Sequence, residues 1–316
     1  MEDGLGSGDE EEDDEEEDED TTQSNKRRQC NLPMWLMKQF NQRLEECRIR
    51  NAQGLPALYY NNKTFWFPTP SPFFLLGHPD ISPQDLMIAR FFLWDPGVLC
   101  SRISCPNCSS PLTRHGHARL PRRCIDLTGE FWIIGFEYRC GWCAEESRKG
   151  KKVQSTFRSW DKRILQVLPR ALAAEFPAHL SHRNGLSRDV FMLMRSSFQC
   201  GVGAKQFADT LRVLHLQAYD ELHLQYLHAL AFRRGMSEWQ GRKYEDFLPF
   251  MDRSPKGPHG FVPCSQWYRN MYDKEIESHQ DTLNQCIAMC SGEVCAIDHS
   301  HKVGCSHSIL LNFGTN

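Results

Sequence analysis

A chain of 316 residues with 40% hydrophobic and 24% charged side chains has the make-up of a globular protein of one large or two ordinary domains. It contains no uncharged apolar run of about 18 residues, which excludes a membrane-spanning helix, and no basic-then-apolar leader of the secretory kind. Fourteen cysteines without an export signal read as reduced thiols and metal ligands rather than disulfides, which points to the nucleus, with the cytoplasm as the alternative.

The formal net charge of -3 conceals an asymmetry. Residues 1–20 hold 14 acidic side chains, and removing them leaves 26 acidic against 37 basic residues, a net charge of +11. A near-continuous acidic run repels itself and has no apolar surface to bury, so residues 1–30 are expected to be a disordered tail. The tail either only solubilises the protein, or its run 9–20 contacts histones or other basic proteins, or competes with nucleic acid for the basic body. Lys26, Arg27 and Arg28 read as a short solvated linker.

An N-terminal helical and aromatic segment follows over residues 31–98. Pro33 suits a first turn, and Trp35, Leu36, Phe40, Leu44 and Cys47 share one face, which predicts a helix over 33–48. Tyr59–Tyr60 and Phe65–Trp66–Phe67 precede a proline-rich stretch; such rings stack on bases or pack a turn-rich segment, and packing is the simpler reading. Ser82 is a good N-cap for a short helix over 82–92.

Residues 99–160 carry the strongest signal. Cys105-Pro-Asn-Cys108 and Cys140-Gly-Trp-Cys143 are two Cys-x-x-Cys pairs, the spacing of tight knuckles that clasp one tetrahedral zinc ion. The residues between them have room for three strands, at 112–118, 122–127 and 131–139, with Thr128–Gly129 as a turn. Four thiolates would contribute roughly 10–16 kcal/mol toward folding a module with no core of its own. Cys100, His115, His117 and Cys124 are the neighbours that could substitute for a ligand. Arg114, Arg119, Arg122 and Arg123 lie on or beside the strands, and Lys149, Lys151 and Lys152 follow the second pair. Such density suits contacts to a phosphate backbone.

Residues 161–235 read as helical, and residues 236–316 as linker, helix and strand. One helix starts at Asp161 and kinks at Pro169, and a second is capped by Ser187 and ends at Gly201 and Gly203. Two more run through Phe207, Leu211, Leu214 and His215, and through Tyr219, Leu222, Tyr226 and Leu230. Helix, glycine turn and helix is compatible with a helix-turn-helix, as it is with any small helical bundle. A helix over 265–288 and a strand over 294–303 are expected last. Cys286, Cys290 and Cys295, with His299, His301, Cys305 and His307, form a second group that reads as packed thiols and surface histidines, or as a second metal site.

Several of these runs resemble a known family. The pairs Cys105-Pro-Asn-Cys108 and Tyr138-Arg139-Cys140-Gly-Trp-Cys143 are similar to an uncharacterised zinc-ribbon family found upstream of DDE-type transposase cores in eukaryotic mobile elements. So are Phe92-Leu-Trp-Asp-Pro96, Arg122-Arg-Cys-Ile-Asp-Leu127 and Phe176-Pro-Ala-His-Leu180. The resemblance spans roughly residues 31–303; Ser109 departs from it, where many knuckles carry glycine. It implies that Ala296-Ile-Asp298-His-Ser-His301 opens an RNase H-like core, with Asp298 as its first metal-binding aspartate. Two-metal phosphoryl transfer needs further carboxylates, and none follows Asp298.

The fold expected is therefore α+β, a treble-stranded zinc ribbon inserted between mainly helical segments behind an acidic tail. The expected function is that of a catalytically inactive, transposase-derived protein with one structural zinc ion, binding DNA. The alternatives are a fragment of an active DDE transposase or nuclease, and a chromatin or protein-interaction factor working through its acidic tail.

Overall fold

The computed structural model describes residues 32–78, 80–234, 244–281 and 284–285. In chain order its elements are α1 (Met34–Arg48), α2 (Ala57–Tyr60), α3 (Pro72–Leu76), α4 (Pro83–Leu86), β1 (Arg90–Trp94), β2 (Leu112–His117), β3 (Arg122–Ile125) and β4 (Glu130–Cys140). They continue with α5 (Gly141–Arg148), β5 (Thr156–Arg158), α6 (Lys162–Val167), α7 (Arg170–Ala173), β6 (Ala178–Leu180), β7 (Gly185–Ser187), α8 (Arg188–Gln199), α9 (Ala204–Arg234) and α10 (Ser265–Ser278).

This is a mixed α+β fold built around one long strand. β4 runs for 11 residues, and its first half is the apolar run Phe131-Trp-Ile-Ile-Gly-Phe136, buried throughout. A strand with both faces covered needs such a run. Its first half pairs in parallel with β1 (Phe92↔Ile133) and antiparallel with β3 (Arg123↔Trp132). Its second half pairs antiparallel with β2 (Leu112↔Cys140) and β5 (Tyr138↔Phe157). β3 continues the sheet in parallel to β7, which pairs with β6. At Gly135 a Cβ would lie 2.2 Å from the Trp160 ring, so the indole takes the place of a side chain.

The three strands expected between the cysteine pairs are present, within two residues at each end. Their setting differs from the expectation. They are not a ribbon inserted between helical segments; β1 comes from the 31–98 stretch and β6 and β7 from the 161–235 stretch, and all join one seven-stranded sheet. The described residues from Pro33 onward accordingly belong to one compact unit. β1 also takes the last three residues of the helix expected over 82–92, of which only α4 forms. Ser82 does cap, in a reciprocal box with Asp85, but α4 ends after one turn. Four successive large apolar residues then gain more from a ladder buried on both faces: Phe91 meets Phe40 of α1, while Phe92 and Trp94 pack on Phe65 and Phe176. The Phe65 and Trp66 rings are thus packed against the core, in keeping with the simpler reading.

α1 matches its expected range and buries Leu36, Phe40, Leu44 and Cys47. Asp161 and Ser187 cap α6 and α8, each accepting an amide bond, and Pro169 separates α6 from α7. Gly201, with φ 83°, ends α8 in the left-handed conformation usual after a helix C-terminus. The two helices expected beyond it are a single α9 of 31 residues, because no glycine or proline interrupts 204–234. Its first half packs Phe207, Ala208 and Leu211 with α8, α10, β3 and β7; its second half packs Tyr226 and Leu230 on Ile81 and Leu86. Among the described residues, no helix is long and apolar enough to cross a membrane.

Candidate metal centre

Both cysteine pairs sit at the far end of β4. The first pair is a knuckle: the Ser109 amide donates to the Cys105 carbonyl at 2.9 Å, and the Cys105 amide to the Ser110 carbonyl at 2.8 Å. Ser109 takes φ 59°, the left-handed turn position where glycine costs least. The second pair is not a second knuckle. Cys140 ends β4 and caps α5, accepting from the Cys143 amide at 3.5 Å, so Cys143 stands in the first helical turn. One pair is held by a turn and the other by a strand-to-helix junction, whose N-terminal dipole favours thiolate.

The four sulfurs converge. Cys105 and Cys143 Sγ are 3.8 Å apart, Cys108 and Cys140 3.5 Å, and Cys108 and Cys143 3.6 Å, with all four within 4.8 Å of one another. A zinc ion with sulfurs at about 2.3 Å in a tetrahedron sets neighbouring sulfurs about 3.8 Å apart, close to these values. Disulfide bonding requires about 2.05 Å, and all four cysteines are free. Cys105, Cys140 and Cys143 are buried. Hydrogen bonds from the Ser110 hydroxyl and amide lower the Cys108 thiol to about 6, whereas burial pushes Cys140 and Cys143 up. A divalent cation offsets that burial cost by supplying opposite charge to all four. The donor set and spacing fit a four-coordinate soft-metal site. Cys100, His115, His117 and Cys124 fall outside the group; Cys124 is fully buried beside Gly185.

The basic residues singled out from the sequence divide into two sets. Arg114 lies over the Phe136 ring and ion-pairs through Nε with Asp95 at 2.9 Å. Arg123 pairs with Glu130 at 3.1 Å between the Trp132 and Phe261 rings. Arg122 donates to the Ser181 and Asn184 carbonyls and holds the β6–β7 turn. These three are engaged internally. Arg119 and Lys152 are exposed, and Lys149 and Lys151, also exposed, share Glu146.

Sequence reasoning missed the anchor of this end of the sheet. Asp95 is 0% exposed; besides Arg114 it accepts from the Tyr138 hydroxyl at 3.0 Å and from Arg50 at 3.4 Å. Burial raises its carboxyl above the usual range despite these partners. An aspartate inside the apolar run Phe-Phe-Leu-Trp-Asp-Pro was the available signal, since a buried carboxylate must be paired. Asp298 and the group Cys286, Cys290 and Cys295 lie outside the described residues, as does the acidic run 9–20.

No curated protein and no solved structure matches this chain. The four cysteines, the whole sheet and the Asp95 anchor all fall within residues 42–277, which match the family described as a domain of unknown function, DUF6729; the chain belongs to that family.

Proposed function

We propose that this protein is a non-catalytic nucleic-acid-binding protein whose Cys105, Cys108, Cys140 and Cys143 hold one structural Zn²⁺. Four thiolates leave no open coordination position for substrate, which favours a structural over a catalytic ion. The ion ties the 105–108 knuckle to the start of α5, and α5 leads directly into the basic surface.

That surface carries the reading. Arg148, Lys149, Lys151 and Lys152 are all exposed just after the metal centre, and Trp142, within the second cysteine pair, is 58% exposed. Exposed cations and an exposed indole within residues 142–152 suit a phosphate backbone with a base stacked on the ring. Lys149 and Lys151 already neutralise an anion, the Glu146 carboxylate. Duplex DNA, nuclear location and descent from a mobile-element transposase belong to the same proposal.

Salt-titrated binding to duplex and single-stranded probes tests it. Replacing Lys149, Lys151 and Lys152 together by alanine should weaken binding and flatten the log-affinity slope against log salt by roughly 2–3, at about 0.9 for each phosphate no longer neutralised. Unchanged affinity and slope would remove this surface from the reading. Deleting residues 1–20 should tighten DNA binding; loss of binding to basic proteins with DNA affinity unchanged would favour the interaction-factor alternative. Mg²⁺-dependent nicking abolished by Asp298→Ala would favour the nuclease alternative.

A further inference from the structure

We propose that a cleft of about 730 Å³, walled by β5, the turn after β6, and α10, binds a phosphate monoester, the 5′-phosphate of a nucleotide or of a strand end. This goes beyond the nucleic-acid reading and does not depend on the metal.

The first support is charge. Arg122, Arg158, Lys162 and Lys274 reach the cleft from β3, β5, α6 and α10. Among the described residues, none of the four forms an ion pair with a carboxylate. Three acidic side chains also line the walls: Asp161 is held by Arg163 at 2.8 Å, and Glu275 lies 3.6 Å from His179 and His279, rings that carry charge only when protonated. Glu137 and Glu275 are left against four cations, a net positive lining.

The second support is Arg122 itself. The residue is half-buried, and its Nε is fully buried with no hydrogen-bond partner. Two carbonyl oxygens accept from Nη2, yet carbonyl dipoles do not neutralise a guanidinium, and the charged neighbour it feels on this side is Arg158. Burial first, and Arg158 as well, lower the Arg122 guanidinium to about 10. A half-buried guanidinium with a buried, unpartnered Nε and another cation as its charged neighbour is costly without a counter-anion. A phosphate between Arg122 and Arg158 satisfies both and accepts the forked donors of guanidinium.

The third support is size and lining. The volume falls within the range of small-molecule sites, and Trp160, Leu165 and Phe176 supply apolar wall beside the cations. A phosphate with an attached nucleoside is a better match than a bare anion.

Calorimetric titration of the full zinc-loaded chain with adenosine 5′-monophosphate, adenosine and inorganic phosphate reads the cleft directly. The nucleotide should bind, and adenosine should bind at least ten-fold more weakly. Arg122→Ala would also release the β6–β7 turn, so the variants are Arg158→Ala and Lys274→Ala, both at exposed positions; each should weaken nucleotide binding about ten-fold with the melting temperature unchanged. The triple Lys149, Lys151, Lys152 alanine variant should bind the nucleotide as the parent does, which separates this site from the basic surface. A short oligonucleotide with a 5′-phosphate, compared with its 5′-hydroxyl twin, distinguishes a strand end from a free nucleotide. Absence of binding by every phosphate probe at millimolar concentration overturns the proposal. So does equal binding of adenosine and its monophosphate, or wild-type affinity in both variants.

Discussion

Replacing Cys140 by serine tests the metal centre most directly. Cys140 is fully buried at the junction of β4 and α5, and its sulfur is 3.5 Å from that of Cys108. A serine hydroxyl there is a poor, largely protonated ligand, so the tetrahedral set is broken. With the proposed zinc ion bound, the stabilisation forfeited is of the order of 10–16 kcal/mol, the apparent free energy of a structural zinc site. The consequence depends on what else holds each part. α5 has eight residues, fewer than the roughly 12–15 an isolated helix needs, and the 105–108 knuckle is a turn. The spine of the sheet is different. Phe91, Phe92, Leu93, Trp94, Phe131, Ile133 and Ile134 are each at most 1% exposed. At about 1.5–3 kcal/mol per buried side chain these seven contribute roughly 10–20 kcal/mol, as much as the ion. Cys140→Ser should therefore lose zinc, from about one ion per chain, and unfold locally. Metal analysis by mass spectrometry with amide hydrogen exchange reads both. Fast exchange is expected in α5 and residues 103–112, with protection kept over 131–135. Full zinc retention would refute the ligand assignment, and loss of protection throughout the sheet would refute the argument that the core stands without the ion.

Three further outcomes follow from the same geometry. Asp95→Ala strands Arg114 and takes partners from Tyr138 and Arg50, and should lower stability by about 3–5 kcal/mol in denaturant titration; a loss below 1 kcal/mol would mean the network is not the anchor. Burial raises the Glu130 carboxyl to about 7 from the usual 4.5, against the pull of Arg123. Its favourable contribution is therefore fully present below about pH 4.5 and lost as pH rises through 7, so wild-type stability minus that of Glu130→Gln should fall across that window; a flat difference refutes the assignment. Arg114→Ala should cost stability while leaving the salt slope of DNA binding nearly unchanged, the reverse of the triple lysine variant.

Much of the local structure was legible in the sequence because local physics writes it. The three strands between the cysteine pairs, the caps at Asp161 and Ser187, and the turn at Gly201 each depend on residues within a few positions. The pairing of two Cys-x-x-Cys units was equally plain, since ligand spacing is a property of the chain. Three matters belonged to tertiary structure alone. The strand at Arg90–Trp94 exists because β4 and two packed faces lie beside it, and no periodicity within five consecutively apolar or basic residues records that. The second cysteine pair opens a helix rather than a knuckle because β4 delivers it there. Which arginines are free was also beyond the sequence: Arg114 and Arg123 read as a basic cluster, yet Asp95 and Glu130, 19 and 7 residues away along the chain, take them up. Charge partners are chosen by folding, because a carboxylate buried with the sheet must find its cation wherever the topology brings one.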